Sequence, residues 1–168
     1  MKKASVKKCL LIGTVAMIAA LVFHVIGFGM SSWITVDRGN YTEHFGIWKI
    51  CTGYPSECYS TPSSDWMRAV QSFAVLGFVS LLVCVAVSIV PQCCCKQNTL
   101  KCILLIVGLA IFGVISLLLS IAIFSSKKDE LIKGSPPQSF SFSFAFCITA
   151  MILAIIAVVC FFIQIKEN

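Results

Sequence analysis

Four long apolar stretches dominate the chain and limit what it can fold into. They occupy residues 9–30, 69–90, 102–124 and 142–163. His24 and Gln71 are the only strongly polar side chains within them. A transmembrane helix needs about 20 apolar residues to cross about 30 Å of hydrocarbon, and each stretch is long enough. Segments of alternating polarity, which are typical of a membrane β-barrel, do not occur. The pattern therefore predicts an all-α membrane protein, a bundle of four transmembrane helices.

The composition supports a membrane location and excludes several classes of function. Of the 168 residues, 58% are hydrophobic and 12% are charged, and the mean hydropathy is +0.95. A soluble domain of this size does not tolerate so apolar a composition. The net charge of +6 indicates membrane topology and attraction to anionic lipid head groups, without the clustered basic surface that binds nucleic acid. We expect one domain whose first partner is membrane lipid.

Lysines before the first stretch set the predicted topology. Lys2, Lys3, Lys7 and Lys8 lie there, and positive charges beside the first helix favour the cytoplasmic side. Both termini are then cytoplasmic in a plasma-membrane protein, with outer loops at 31–67 and 125–141, an inner loop at 91–101 and a tail at 164–168. A cleaved signal peptide is the alternative for the first stretch. That stretch is longer than the usual apolar core of about 7 to 15 residues in a signal peptide, which favours a retained anchor.

The first outer loop carries the sequence pattern of a small sheet. "SWITVD" (32–37) and "FGIWKI" (45–50) are strand-like, and Arg38, Gly39 and Asn40 between them favour a turn. We expect an extracellular antiparallel sheet of two or more strands, packed on the outer ends of the helices. An isolated hairpin is marginal in water, so a further constraint is needed.

Cys51 and Cys58 can supply that constraint as a disulfide. In the predicted topology they face the oxidising side, and Gly53 and Pro55 between them let the chain turn back. A bridge closing so short a loop is worth about 2 to 3 kcal/mol in the chain-entropy model. The alternatives are two free thiols, or a zinc site in which His44 joins them and a further ligand is still needed.

The same loop carries a resemblance to a known family. The residues concerned are Trp33, Gly46, Ile47, Trp48, Cys51 and Cys58, between the first and second helices. This pattern resembles the W-GLW-C-C signature of the claudin superfamily, which includes the peripheral myelin and epithelial membrane protein groups. "DWMRAVQSFAVLGF" at the second helix is also similar to that superfamily, with Arg68 near the position of its arginine. The resemblance implies the four-helix plan with an extracellular sheet.

Three departures from the claudin pattern bear on function. Ile47 stands where the signature has leucine, and the first outer loop is short, closer to the myelin and epithelial membrane branch. The chain ends in "IKEN", without the terminal Tyr-Val that typical claudins use to dock onto scaffold proteins. These differences count against scaffold anchoring. For Trp33 and Trp48 we expect an anchoring position at the lipid boundary, or an ordinary interfacial position without a specific contact.

The resemblance implies a structural rather than a catalytic function. It favours cell–cell contact or membrane organisation at cell junctions, through association with copies of the chain or with related four-span chains. The alternative is an auxiliary subunit of an ion channel or receptor. We expect no enzyme and no cofactor, because the chain shows neither a Cys-x-x-Cys redox pair nor charged residues in its spans of the kind that transport needs.

Three further features are candidate functional sites. Asn40 begins an N-x-T sequon, which predicts a glycan on the outer face. Cys93, Cys94 and Cys95 lie just inside the second helix, where palmitoylation is the leading interpretation and a cytosolic disulfide or metal cluster the rival. His24 is the only ionisable side chain within a span. A neutral imidazole, hydrogen-bonded to a neighbouring helix or reaching outward, is favoured there over a proton relay.

Overall fold

The computed structural model describes residues 2–53, 57–93, 99–132 and 137–167. Its helices are α1 (Lys2–Gly29), α2 (Asp65–Cys93), α3 (Thr99–Leu131) and α4 (Phe142–Glu167). Its strands are β1 (Ile34–Asp37), β2 (Thr42–Phe45), β3 (Lys49–Thr52), β4 (Cys58–Ser60) and β5 (Gln138–Phe140). Each helix is long and apolar enough to cross a membrane, and the predicted four-helix fold is confirmed. The chain is a multi-pass membrane protein with four spans.

The helices pack as two close pairs, α1 with α4 and α2 with α3. Small residues let the two helices of each pair approach each other closely. A Cβ at Gly27 of α1 would stand 2.6 Å from the carbonyl oxygen of Ser143 on α4. A Cβ at Gly77 of α2 would stand 2.7 Å from a methyl carbon of Leu117 on α3. Close backbone contact through small residues is how helices associate in lipid, where apolar burial gives little net gain.

Helix α3 continues well past the predicted span at 102–124. It runs to Leu131 and includes Lys127, Lys128, Asp129 and Glu130. Hydropathy identifies the part of a helix that lies in lipid, so it gives no sign of a polar continuation in water. This extension contacts β5: Gln138 donates a hydrogen bond to Asp129 at 2.8 Å, and the Lys128 ammonium lies 5.2 Å from the centre of the Phe140 ring.

The five strands form one antiparallel sheet in the order β4-β3-β2-β1-β5. Four strands come from the first outer loop, where two or more were predicted. The fifth comes from the segment between α3 and α4 and pairs with β1, with Ile34 opposite Phe140. β5 was not predicted, because it is three residues long and contains serine and glutamine.

The prediction of one strand over "FGIWKI" is wrong in detail. Phe45 ends β2 and Lys49 begins β3, so Gly46, Ile47 and Trp48 form the turn between two strands. Phe45 pairs with Ile50 across this turn, and the Gly46 N–H donates to the Lys49 carbonyl at 2.9 Å. Apolar and aromatic composition favours a strand, but it cannot reveal a turn in which Ile47 is buried by the rest of the fold.

One face of the sheet packs on the ends of the helices and forms a core there. The buried side chains of this core from the sheet are Ile34, Val36, Phe45 and Ile50, and those from the helices include Met67, Val70 and Phe124. A second core lies within the bundle and includes Met17, Leu81, Ile106 and Phe161. Because the number of helices is even, both ends of the described chain lie at the end of the bundle opposite the sheet.

Candidate functional site

The two signature tryptophans cap the end of α1. The last four carbonyl groups of a helix lack partners within the helix. The Trp33 indole N–H donates to the Gly27 carbonyl at 2.8 Å, and the Trp48 indole N–H donates to the Phe28 carbonyl at 3.0 Å. The signature therefore fixes the loop directly to the helix that precedes it.

Trp33 and Trp48 differ in their surroundings. Trp33 is 1% exposed and packs edge-on against Phe124 at 4.8 Å and Phe144 at 5.6 Å between ring centres. It lies inside the protein, between the sheet and the helix ends, and not at the lipid boundary where its amphipathic ring was expected. Trp48 is 37% exposed and stands edge-on to Phe28. Of the two, only Trp48 has the half-buried position of an interfacial aromatic.

Contacts with three other parts of the chain hold the turn at Gly46–Trp48 in place. A Cβ at Gly46 would stand 2.5 Å from the Ser31 Cα, so only glycine lets the turn approach the chain leaving α1. The Thr61 hydroxyl donates to the Gly46 carbonyl at 2.9 Å, and the Gln71 amide donates to the Ile47 carbonyl at 2.7 Å. Ile47 itself is fully buried.

Sequence reasoning missed Thr61 and Gln71 as parts of this site. Gln71 carried a signal, because it is a polar side chain in an apolar helix, and such a side chain needs a partner. Thr61 carried none, since its role depends on a turn fifteen positions earlier in the chain.

Cys51 and Cys58 form a disulfide between β3 and β4, as the sequence predicted. The two residues are directly opposite each other in the ladder, with their Cα atoms 4.2 Å apart. The bridge rules out the free-thiol and zinc alternatives for this pair. It holds the short strand β4, whose three residues are all exposed, against the rest of the sheet.

Breaking this bridge should weaken the fold by a measurable amount. We expect Cys51→Ser or Cys58→Ser to lower the free energy of unfolding by about 2 to 3 kcal/mol, because the unfolded chain regains the entropy of the open loop. Denaturation of the purified protein in detergent measures this loss. The double variant should lose no more than either single variant, since one substitution already opens the bridge. If the double variant lost the sum of the two single losses in free energy of unfolding, the assignment of a Cys51–Cys58 disulfide would be contradicted.

The remaining predicted site residues lie apart from the turn. Asn40 is exposed in the turn between β1 and β2, next to Gly39, whose φ is +82°. Arg68 is exposed in the first turns of α2. Cys93 is the last residue of α2; its side chain, together with Cys94 and Cys95, lies outside the described residues.

His24 is buried between helices and hydrogen-bonded. Its Nε2 donates to the Ala74 carbonyl on α2 at 3.1 Å, and its side chain is 1% exposed. This arrangement matches a neutral imidazole that joins two helices. Within the described residues, no group of three or more His, Cys, Asp or Glu side chains is placed to hold a metal ion.

Comparison with known proteins places this architecture in a family. A family model described as "Tight junction protein, Claudin-like" matches residues 1–167. A search of curated proteins finds no match. The family match covers almost the whole chain and agrees with the four helices, the sheet and the bridged strands described above. Its members are structural membrane proteins without enzymatic activity. The chain therefore belongs to the claudin-like tight junction protein family.

Proposed function

We propose that this protein acts in contact between cells, or in membrane organisation at cell junctions, by association of its sheet with other chains. The partners are copies of the same chain or related four-span proteins, beside it or on the facing cell. The observation that carries the proposal is the edge of the sheet at β4. An edge strand presents backbone N–H and C=O groups that can pair with a strand from another chain.

The hydrogen-bond pattern identifies which backbone groups β4 presents. The Thr52 N–H donates to the Glu57 carbonyl at 2.9 Å, and the Thr61 N–H donates to the Trp48 carbonyl at 3.0 Å. Hydrogen-bonded and non-hydrogen-bonded pairs alternate along an antiparallel ladder. Tyr59, opposite Ile50, therefore directs its N–H toward β3, and Ser60 directs its N–H away from the sheet.

The bridge and the capped turn support this proposal because they hold the edge in place. An edge strand of three residues would gain little from its own ladder, and the disulfide fixes it at Cys58.

The proposed orientation follows from the lysines around α1 and from the oxidised bridge. In the plasma membrane, the sheet faces outward and both termini lie in the cytoplasm. A glycan on Asn40 would then project from the exposed β1–β2 turn, and a change in gel mobility after glycosidase treatment tests it. Cys93, Cys94 and Cys95 would lie at the inner surface, where acyl-exchange labelling tests palmitoylation.

Ser60→Pro tests the edge without breaking the ladder. Proline removes the outward N–H of Ser60 and is tolerated on edge strands when that group faces solvent. Two cell populations expressing the protein with different fluorescent labels are grown together, and enrichment at their shared borders is measured. We expect Ser60→Pro to reduce this enrichment several-fold, and Ser60→Ala, which keeps the N–H, to leave it unchanged.

Two results would count against the proposal. One is border enrichment of Ser60→Pro equal to that of the original protein, when both reach the cell surface in equal amounts. The other is an even distribution of the original protein together with its co-purification with a large channel or receptor. That second result would favour the auxiliary-subunit function.

A further inference from the structure

A groove lies beside the sheet at the level where α1 ends and α4 begins. Its volume is about 430 Å³. Its lining residues are Gly29, Met30, Ser31, Ser32, His44, Cys51 and Phe142. Because Gly29 ends α1 and Phe142 begins α4, the groove opens at the membrane boundary on the sheet side. Lipid of the adjacent leaflet, the outer leaflet in the proposed topology, reaches it directly.

The polar residues of the groove can form hydrogen bonds with a hydroxyl group. The Nδ1 atom of His44 lies 3.3 Å from the hydroxyl oxygens of both Ser32 and Thr35. Those contacts engage Nδ1, so any further hydrogen bond to the ring must be made at Nε2. In one tautomer Nε2 donates a hydrogen bond, and in the other it accepts one. A hydroxyl group satisfies either tautomer, since it both donates and accepts.

The lining selects against charged lipids. None of the described side chains that line the groove is Lys, Arg, Asp or Glu. Phosphate groups are bound in proteins mainly by Arg, Lys and helix N-termini. The C-terminus of α1 repels an anion and the N-terminus of α4 attracts one, so the helix ends do not decide between head groups and the uncharged side chains do. A neutral head group is therefore favoured over a phosphodiester.

An aromatic surface leads from the groove into the bilayer. Phe142 is 52% exposed and Met30 is 40% exposed. The ring of Phe142 contacts that of Phe146 at 6.2 Å, and Phe146 contacts Phe23 of α1 at 5.6 Å between centres. Phe146 lies one helical turn, about 6 Å, deeper than Phe142. The three rings form a continuous apolar path below the polar pocket.

From these features we propose that the groove binds a membrane sterol. The sterol hydroxyl hydrogen-bonds with His44 and the Ser31 hydroxyl, since the Ser32 hydroxyl already donates to Ser141 at 2.9 Å, and the fused rings lie along Phe142, Phe146 and Phe23. A rigid ring system loses less conformational freedom on binding than the flexible chains of a diacylglycerol or ceramide. Among neutral lipids with a hydroxyl head, the sterol is therefore the occupant that the groove fits best.

The test uses the full chain in phosphatidylcholine nanodiscs with a photoactivatable cholesterol probe. We expect saturable labelling that maps to peptides containing residues 29–32 or 142–146. Excess cholesterol should remove it, and cholesterol methyl ether, which lacks the hydroxyl donor, should compete at least fivefold less well.

Gly29→Phe blocks the groove, and Gly108→Phe is its matched control. No atom lies within 4 Å of where a Cβ would stand at either glycine, and both are exposed on helices. Gly29 lines the groove, whereas Gly108 lies on α3, away from it. We expect Gly29→Phe to reduce labelling at residues 29–32 and 142–146 at least fivefold, and Gly108→Phe to leave it unchanged.

Three outcomes would overturn the proposal. These are equal labelling of Gly29→Phe and the original protein, labelling that maps elsewhere on the helices, and saturable labelling by a ceramide or diacylglycerol probe that cholesterol does not displace.

His44→Gln adds a readout of the hydroxyl contact. It should weaken competition by cholesterol while leaving competition by the methyl ether unchanged. The proposal is independent of the β4 edge, so Ser60→Pro should bind the probe normally.

Discussion

Replacing Trp33 with alanine is expected to destabilise the protein by about 3 to 5 kcal/mol, the range for removing a large aromatic side chain from a core. Trp33 fills the space between the sheet and the helix ends against Phe124 and Phe144. Its loss leaves a cavity and also leaves the Gly27 carbonyl without its indole partner. Denaturation in detergent measures the free energy of unfolding, and surface delivery in cells should fall with it.

Trp48 provides the comparison, because it makes the same kind of hydrogen bond from a more exposed position. Trp48→Ala should cost about 1 kcal/mol, mainly the lost hydrogen bond to Phe28 and partial burial. Trp33→Phe should fall between the two alanine variants, since it keeps a ring and loses the N–H. Equal losses for Trp33→Ala and Trp48→Ala would show that the two tryptophans act alike at the lipid boundary.

Replacing Gly27 with alanine should be the most damaging single-methyl change among the glycines of α1. The new Cβ would stand 2.6 Å from the Ser143 carbonyl oxygen and 2.7 Å from the Cys147 sulfur. The carbonyl belongs to the backbone of α4, so α1 and α4 must move apart. We expect a loss of about 2 to 3 kcal/mol, typical of overpacking, measured by the same denaturation in detergent.

Gly29→Ala is the matched control, two positions along the same helix. No atom lies within 4 Å of its new Cβ, so the change should lie within about 0.5 kcal/mol of zero. Combining Gly27→Ala with Cys147→Ala should recover part of the loss, because the sulfur is removed while the carbonyl remains. Comparable losses at Gly27 and Gly29 would mean that helix ends, rather than the α1–α4 contact, determine the effect.

The helices could be predicted from the sequence because the bilayer imposes one requirement on all four. A run of about 20 apolar residues rarely forms anything other than a transmembrane helix. The polar end of α3, from Ser125 to Leu131, could not be predicted in this way. It lies beyond the apolar segment, and its contacts with Gln138 and Phe140 form only in the folded chain.

In the candidate site, the bridge could be predicted and the surroundings of the tryptophans could not. Cys51 and Cys58 are close in sequence, so a turn between them was enough to suggest their pairing. Trp33 is buried by Phe124 and Phe144, which come from the other half of the chain. An apolar side chain gains similarly from lipid and from a protein core, and composition alone does not distinguish them. The position of Gly46 against Ser31 likewise depends on the assembled fold.

The pairing of β1 with β5 has a mechanical consequence. β1 follows α1, β5 precedes α4, and β4 leads into α2. In the proposed function, a pull from a neighbouring cell on β4 passes to α2 along the chain, to α1 across the ladder, and to α4 through β5. Such a force would be shared among three transmembrane helices, so that no single helix would bear it alone.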